Sequence, residues 1–260
     1  MDSIVFLGNG GGRVIVSTQM ISTAGFVMML DGKQVFVDPG PGALLRSKLC
    51  GVQASRTDII FVSHHHLDHA NDVNAIIDAM TLGGINQKGV LIGTSTLING
   101  TENESPMLNK AYQKYLKECF ALKPGDKLKV GDLNFTAAQT QHECENLGFV
   151  IDTKSGKIGY TSDTAPFEGL AKQYEGCDLL IVNVLKPGSQ KWKTHLCSDD
   201  VVSILKEVKP KLAVIRGYGA KMVKAHPTYE AREIQKRSGV QTVAAYDGMR
   251  LDLDFAKKNV

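Results

Sequence analysis

Residues 58–70 read DIIFVSHHHLDHA, an apolar run that ends without a linker in four histidines and an aspartate. No other stretch restricts the fold as much. Ile, Ile, Phe and Val bounded by polar residues suit a buried strand. Beyond them Val73, Ile76, Ile77 and Met80 recur at helical spacing behind Asp68, a good N-cap. The histidines therefore sit where a strand ends and a helix begins. His64 and His66, two apart on extended backbone, point to one side. Asp68 and His69 follow where the chain turns back, so all four side chains can aim at one point. Imidazole and carboxylate suit Zn²⁺, with Fe and Mn as alternatives. His65 points the other way and is expected to make structural hydrogen bonds.

The remaining pattern is of strands first, then strands alternating with helices. SIVFLG (3–8), RVIVS (13–17), GFVMML (25–30) and QVFVD (34–38) read as strands, and GALLRSKLC (42–50) as a short helix. VLIGT (90–94) is a further strand, and SPMLNKAYQKYLKECF (105–120) an amphipathic helix with Pro106 in its first turn. In the second half, strands are expected at 133–139, 148–152, 157–162, 178–185 and 212–217, with closing strands in 242–255. Helices are expected at 166–174, at 198–208 with Ser198 as N-cap, and at 228–238. Two βα-rich halves with helices outside give an α/β (α+β) protein, a four-layer αββα sandwich.

At 260 residues the chain fits one large domain or two small ones and needs no disulfides to hold a core. Its five cysteines are scattered, never in a CxxC pair, which favours reduced thiols. A formal net charge of +3 is too small to argue for nucleic acid. The opening MDSIVFLG has an acid at position 2 and five apolar residues before the glycine, which is not a secretory leader. No apolar run approaches the roughly 20 residues of a membrane helix. The default expectation is a cytoplasmic protein with no membrane partner.

His64-x-His66-x-Asp68-His69 after an apolar strand resembles the HxHxDH signature of the metallo-β-lactamase-fold hydrolases. Other pieces stand in the family's order. Asp38 in VDPGPG is similar to its early buried aspartate, His142 in TQHE to its third histidine, and Asp163 in YTSDT to its bridging carboxylate. The resemblance spans essentially the whole chain and implies one domain, 1–260. It implies a first metal site of His64, His66 and His142, and a second of Asp68 and His69 with Asp163 bridging. The family usually adds one more histidine at the end of a late strand. The matching strand here runs LAVIRGYG and places Gly217 at that position. His226 in KAHPT and His195 in KTHLCSDD are the two histidines that could compensate. Otherwise the second site is weakened or empty, so one or two ions are expected.

The opening LGNGGGR and the turn THLCSD resemble the branch that holds tRNA 3′-processing endonucleases (tRNase Z) and cyclic-phosphate phosphodiesterases. In that branch a histidine beside the metals assists at the phosphate or leaving group, which would give His195 a catalytic role; the plainer alternative is a helix cap. The glycine-rich opening lacks a following GK[ST] and is read as a tight turn near the site rather than a phosphate cradle. Cys144 and Cys197 each follow a key histidine by two positions and are read as small buried residues rather than thiolate ligands. KPGSQKWK (186–193) and AKMVKAH (220–226) could meet an anionic substrate.

The resemblance implies hydrolysis of a phosphodiester through a metal-bound hydroxide, with Asp68 and Asp163 orienting it. tRNase Z carries a long substrate-gripping arm between its third histidine and bridging aspartate. Here those positions are only 21 apart, so a small cyclic or linear phosphodiester fits better than tRNA, with RNA left open as a less favoured substrate. A lactone, thioester or β-lactam hydrolase shares the same motif. A metal-binding protein without turnover, degenerate at Gly217, is the reading from another class. Self-association into a homodimer is left open.

Overall fold

The computed structural model describes residues 2–253. From the N-terminus come β1 (Ser3–Phe6), α1 (Arg13–Thr18), β2 (Phe26–Leu30), β3 (Lys33–Val37), α2 (Ala43–Leu49), β4 (Ile59–Phe61), α3 (Leu67–Ala70), α4 (Val73–Thr81), β5 (Val90–Gly93), α5 (Ser95–Asn99), α6 (Lys110–Gln113) and β6 (Glu118–Ala121). The second half adds β7 (Lys127–Val130), β8 (Leu133–Gln139), β9 (Leu147–Thr153), β10 (Gly156–Tyr160), β11 (Leu179–Asn183), α7 (Ser198–Val208), β12 (Leu212–Arg216), α8 (Ala220–Lys224), α9 (Pro227–Ser238), β13 (Thr242–Ala244) and β14 (Arg250–Asp252).

The strands form two seven-stranded sheets, in the orders β14-β1-β2-β3-β4-β5-β6 and β13-β12-β11-β10-β9-β8-β7. Side chains alternate between the faces of a strand. Along β4, Ile59 and Phe61 enter the core between the sheets, while Ile60 joins the outer layer beside Ile76 and Ile77 of α4. Phe61 meets Phe149 of β9 edge-on at 4.8 Å between ring centres. On the far face of the second sheet, Val182 and Ile215 pack with Val201 and Leu205 of α7 and Ile234 of α9. Strands covered on both faces are apolar at every position, which is why IIF and LLIV show no alternation. The result is the expected α/β sandwich, helix–sheet–sheet–helix.

β3, β4 and β5 run parallel, as do β10, β11 and β12. Their C-terminal ends deliver residues 38, 63–64, 163 and 183 to one edge of the sandwich. That edge carries the candidate site.

Several expected elements differ. RVIVS is helix α1, not a strand: only Ile15 of the six residues is buried, so the β-branched run has no sheet to join. The helix expected over 105–120 shrinks to α6, and Glu118–Ala121 instead pair in parallel with β5, whose edge would otherwise be bare. Residues 166–174 hold only a 3₁₀ turn at Ala171–Tyr174. The segment 68–80 is two helices, α3 and α4, rather than one. Helix α7 is capped by Cys197, not Ser198. β7 was not foreseen. The closing strands fall in different sheets, β13 in one and β14 in the other, and positions 254 and 255 of that expectation lie outside the described residues. Among the described residues, no helix is long and apolar enough to cross a membrane.

Candidate metal centre

Asp38 follows β3 with a left-handed φ of 50° and is wholly buried. It accepts the Ser63 N–H at 2.7 Å, the Ser63 hydroxyl at 2.9 Å and the Tyr160 hydroxyl at 2.6 Å. His69 Nδ1 lies 2.8 Å from the same carboxylate. A carboxylate only accepts, so this nitrogen carries a proton and turns Nε2 inward.

The other histidines repeat that arrangement. His64 leaves β4 fully buried, with Nδ1 at 3.0 Å from the Ser63 hydroxyl. His66 caps α3, with Nε2 at 3.4 Å from Glu143 Oε1. His142 follows β8, with Nδ1 at 3.1 Å from the Thr194 carbonyl. Each outer nitrogen has a polar partner. The inner ones face one another: His64 Nε2 and His66 Nδ1 are 3.0 Å apart, and His66 Nδ1 and His142 Nε2 3.4 Å. Ligands at roughly 2.0–2.1 Å around a tetrahedral ion stand roughly 3.3–3.4 Å apart. The donor set therefore fits a divalent metal.

Carboxylates complete the cluster. His69 Nε2 lies 3.4 Å from Asp163 Oδ2 and 3.7 Å from Asp68 Oδ2. Asp68 Oδ2 accepts the Gly12 N–H at 2.7 Å, which ties the glycine-rich loop and α1 to the site. Asp163 Oδ1 accepts from Asn183 Nδ2 at 2.7 Å, and His195 Nε2 sits 3.2 Å from Asp163 Oδ2.

Charge follows from these neighbours. Burial, reinforced by His69, holds His64 well below the ordinary histidine value. Burial also lowers His66 and His142. All three are therefore neutral, the form that ligates. Burial opposes charge on His69 too, but Asp38, Asp163 and Asp68 outweigh it and raise its pKa well above the ordinary value. Burial opposes and Asp163 likewise raises His195. Against its own burial, Asp163 is held well below the usual carboxylate range by His195 and His69.

The structure brings together His64, His66, Asp68, His69, His142, Asp163 and His195, from both halves of the chain. His226 does not join them. It is exposed at the start of α9 with a φ of 62°, where its backbone accepts the Tyr229 N–H. His65 Nε2 reaches Glu104 at 3.5 Å, away from the cluster. Cys144 Sγ comes within 3.9 Å of His66 Nε2, the outer nitrogen, and burial pushes its thiol up to about 12. Cys197 caps α7, its N–H and Sγ both 3.0 Å from Asp200 Oδ2.

Two residues beyond the motif shape the cluster. Asn183 at the end of β11 holds Asp163. Arg216, buried to 2%, donates to the Asn183 Oδ1, the Tyr160 hydroxyl and the Gly8 carbonyl. A lone Asn or Arg closing an apolar strand is the only sequence signal for either.

Beside the cluster opens a cavity of about 920 Å³. Val14 and Val16 of α1, Leu67, Leu185 and Trp192 form its apolar wall, and Arg13, Lys186 and Lys221 add positive charge from three segments.

The chain is similar to several known proteins. Residues 33–218 match the model of the Beta-lactamase superfamily domain. An uncharacterized protein of Methanocaldococcus jannaschii is 34% identical over 253 residues, covering 96% of this chain and 94% of that one. A Thermococcus kodakarensis protein named Ribonuclease Z is 21% identical, with 95% and 93% covered. Among solved structures, the metallo-beta-lactamase fold protein YhfI of Bacillus subtilis superposes with a TM-score of 0.80 at 20% identity, covering 96% of this chain and 98% of that one.

Proposed function

Given that this chain belongs to the beta-lactamase superfamily, we propose that it hydrolyses a small phosphodiester at its histidine–carboxylate cluster. The observation that carries this reading is the convergence of Arg13, Lys186 and Lys221 on the cavity that opens onto the cluster. Cations around a buried site favour a substrate with fixed negative charge. The T. kodakarensis relative's name supports the same chemistry. Between His142 and Asp163 most of the chain is spent on the β9–β10 hairpin, which turns at residues 154–155. A gripping arm has no place there, so RNA is disfavoured.

His64, His66 and His142 would hold one divalent ion, and Asp68, His69 and Asp163 contribute to a second. Nitrogen and oxygen donors suit Zn²⁺, with Mn and Fe as alternatives. A metal bound there supplies a water nucleophile at neutral pH and neutralises charge on phosphoryl oxygens. The chain's own groups do the rest. Asp38, Ser63, Glu143 and Thr194 fix the imidazole rings. Asp68 and Asp163 accept hydrogen bonds from an attacking water and so aim it. Lys186 and Lys221 bind the substrate's anion, and the wall from Val14 to Trp192 excludes bulk water.

The test is an assay of metal-loaded protein on bis(p-nitrophenyl) phosphate and a 2′,3′-cyclic nucleotide, beside a thioester, a lactone and a β-lactam. Turnover confined to the phosphodiesters is expected; turnover confined to the acyl substrates overturns the reading. A strong chelator should abolish that turnover, and added Zn²⁺ or Mn²⁺ restore it. Replacing Lys186 by Ala should raise KM for the phosphodiester roughly 3- to 10-fold with little change in kcat, because a part-exposed cation contributes mainly to binding.

A further inference from the structure

Each metal-facing histidine of the cluster has one nitrogen bound to an outer oxygen and the other turned inward. His195 has the same arrangement. Its Nδ1 lies 2.9 Å from the Thr194 hydroxyl, and its Nε2 3.2 Å from Asp163 Oδ2. The ligand atoms of His142, Asp163 and His195 all lie within 4.8 Å of one another. The side chain is only 14% exposed. Its segment is built into the fold: Trp192 and His195 form a β-bridge, and the Thr194 carbonyl receives His142.

The second ion's side of the cluster is short of donors. Asp68 Oδ2 already accepts from Gly12, and Asp163 Oδ1 from Asn183. Position 217, at the end of β12, supplies nothing. Gly217 has a φ of 71°, and a Cβ there would stand 2.8 Å from Asn183 Cγ and 2.9 Å from Asn183 Cβ. Asn183 fills that space and is itself clamped by Arg216 at 3.0 Å. No side chain can enter from 217 without displacing this pair. Asp68, His69 and Asp163 would give a second ion three protein donors at most, with Asp163 also serving the first, so a further imidazole would strengthen that site.

We infer that His195 is a metal ligand through Nε2, standing with Asp163 at a second ion site that position 217 leaves open. The inference rests on the metal-binding part of the functional reading and not on the substrate. His195 then acts by holding an ion rather than by passing a proton to a leaving group.

Metal content separates these roles. The full chain is stripped with chelator, loaded with Zn²⁺, desalted and measured by elemental analysis beside three variants. Two ions per wild-type chain are expected, and one in His195→Ala. His195→Gln, whose amide can keep the Asp163 hydrogen bond, should also hold one, while His195→Cys, which keeps a donor, should hold two. Circular dichroism identifies any variant that fails to fold, and the folded ones decide. Two ions retained in His195→Ala or His195→Gln overturn the inference, as does a wild-type chain that holds only one. Phosphodiester assays on the same samples stand apart: two ions with no hydrolysis would leave the ligand assignment intact and sink the proposed activity.

Discussion

Replacing His64 by Ala is expected to leave a folded chain that has lost an ion and nearly all of the proposed hydrolytic activity. The ring is fully buried at the end of β4, and its Nε2 stands 3.0 Å from His66 Nδ1 at the centre of the donor cluster. Substitution removes one inner nitrogen and leaves a small polar hole beside the Ser63 hydroxyl, where water can enter. Loss of an outer partner at a metal site costs roughly 10–100-fold in affinity or activity. Loss of an inner donor should exceed that. Elemental analysis and steady-state kinetics on the same preparation check it. A variant that keeps its full metal content and turnover would show that His64 is only a packed ring.

The second large effect falls on Asp38. Asp38→Asn keeps the shape but puts an NH₂ group among donors that all need an acceptor. Ser63 N–H, the Ser63 hydroxyl, Tyr160 and His69 converge on this one carboxylate. Buried hydrogen bonds to a charged group are worth about 1.5–3 kcal/mol each, and an unsatisfied donor costs further. A destabilisation of about 3 kcal/mol, or roughly 6–12 °C in Tm for a chain of this size, is expected in metal-free protein. Metal affinity should also fall roughly 10–100-fold, because His69 loses the partner that sets its tautomer. Thermal melts without metal and titrations with it separate the two effects. Unchanged melting would mean that the Tyr160–Asp38–His69 contacts contribute nothing to the fold.

The parts of this site legible in the sequence are those where the chemistry is local. His64, His66, Asp68 and His69 fall within six positions at a strand–helix junction, and a strand end followed by a tight helix start leaves them few directions to point. His142 and Asp163 were readable through their order and their place after apolar runs. His226 reads as a weaker candidate for a spare ligand, because a histidine before a proline gives no hint of distance; the fold leaves it exposed at the start of α9. Asn183 was not legible. It ends an apolar strand, and its partners lie 20 and 33 positions away. The vacancy at Gly217 could be seen, but its cause, the Asn183 side chain already in that space, exists only once β11 and β12 pair. The same holds for α1. Val14, Ile15 and Val16 carry a strand's propensity, yet they flank a loop pinned to Asp68 at 2.7 Å, and Val14 and Val16 become a wall of the cavity. Propensity loses wherever the sheet offers no place.

Strand β1 finds its outer neighbour in β14, with Ser3 opposite Asp252 and the Leu253 N–H donating to the Asp2 carbonyl at 2.9 Å. On a ribosome, the first strand made must wait for the last. Until β14 emerges, one edge of the first sheet stays open to stray pairing. Contacts of such long sequence separation also slow folding. The donor cluster is subject to the same timing, since its residues straddle both halves of the chain. A growing chain can offer His64, His66 and His69 early, but Asp163 and His195 only much later. Metal capture at the proposed site would therefore be completed only late in assembly.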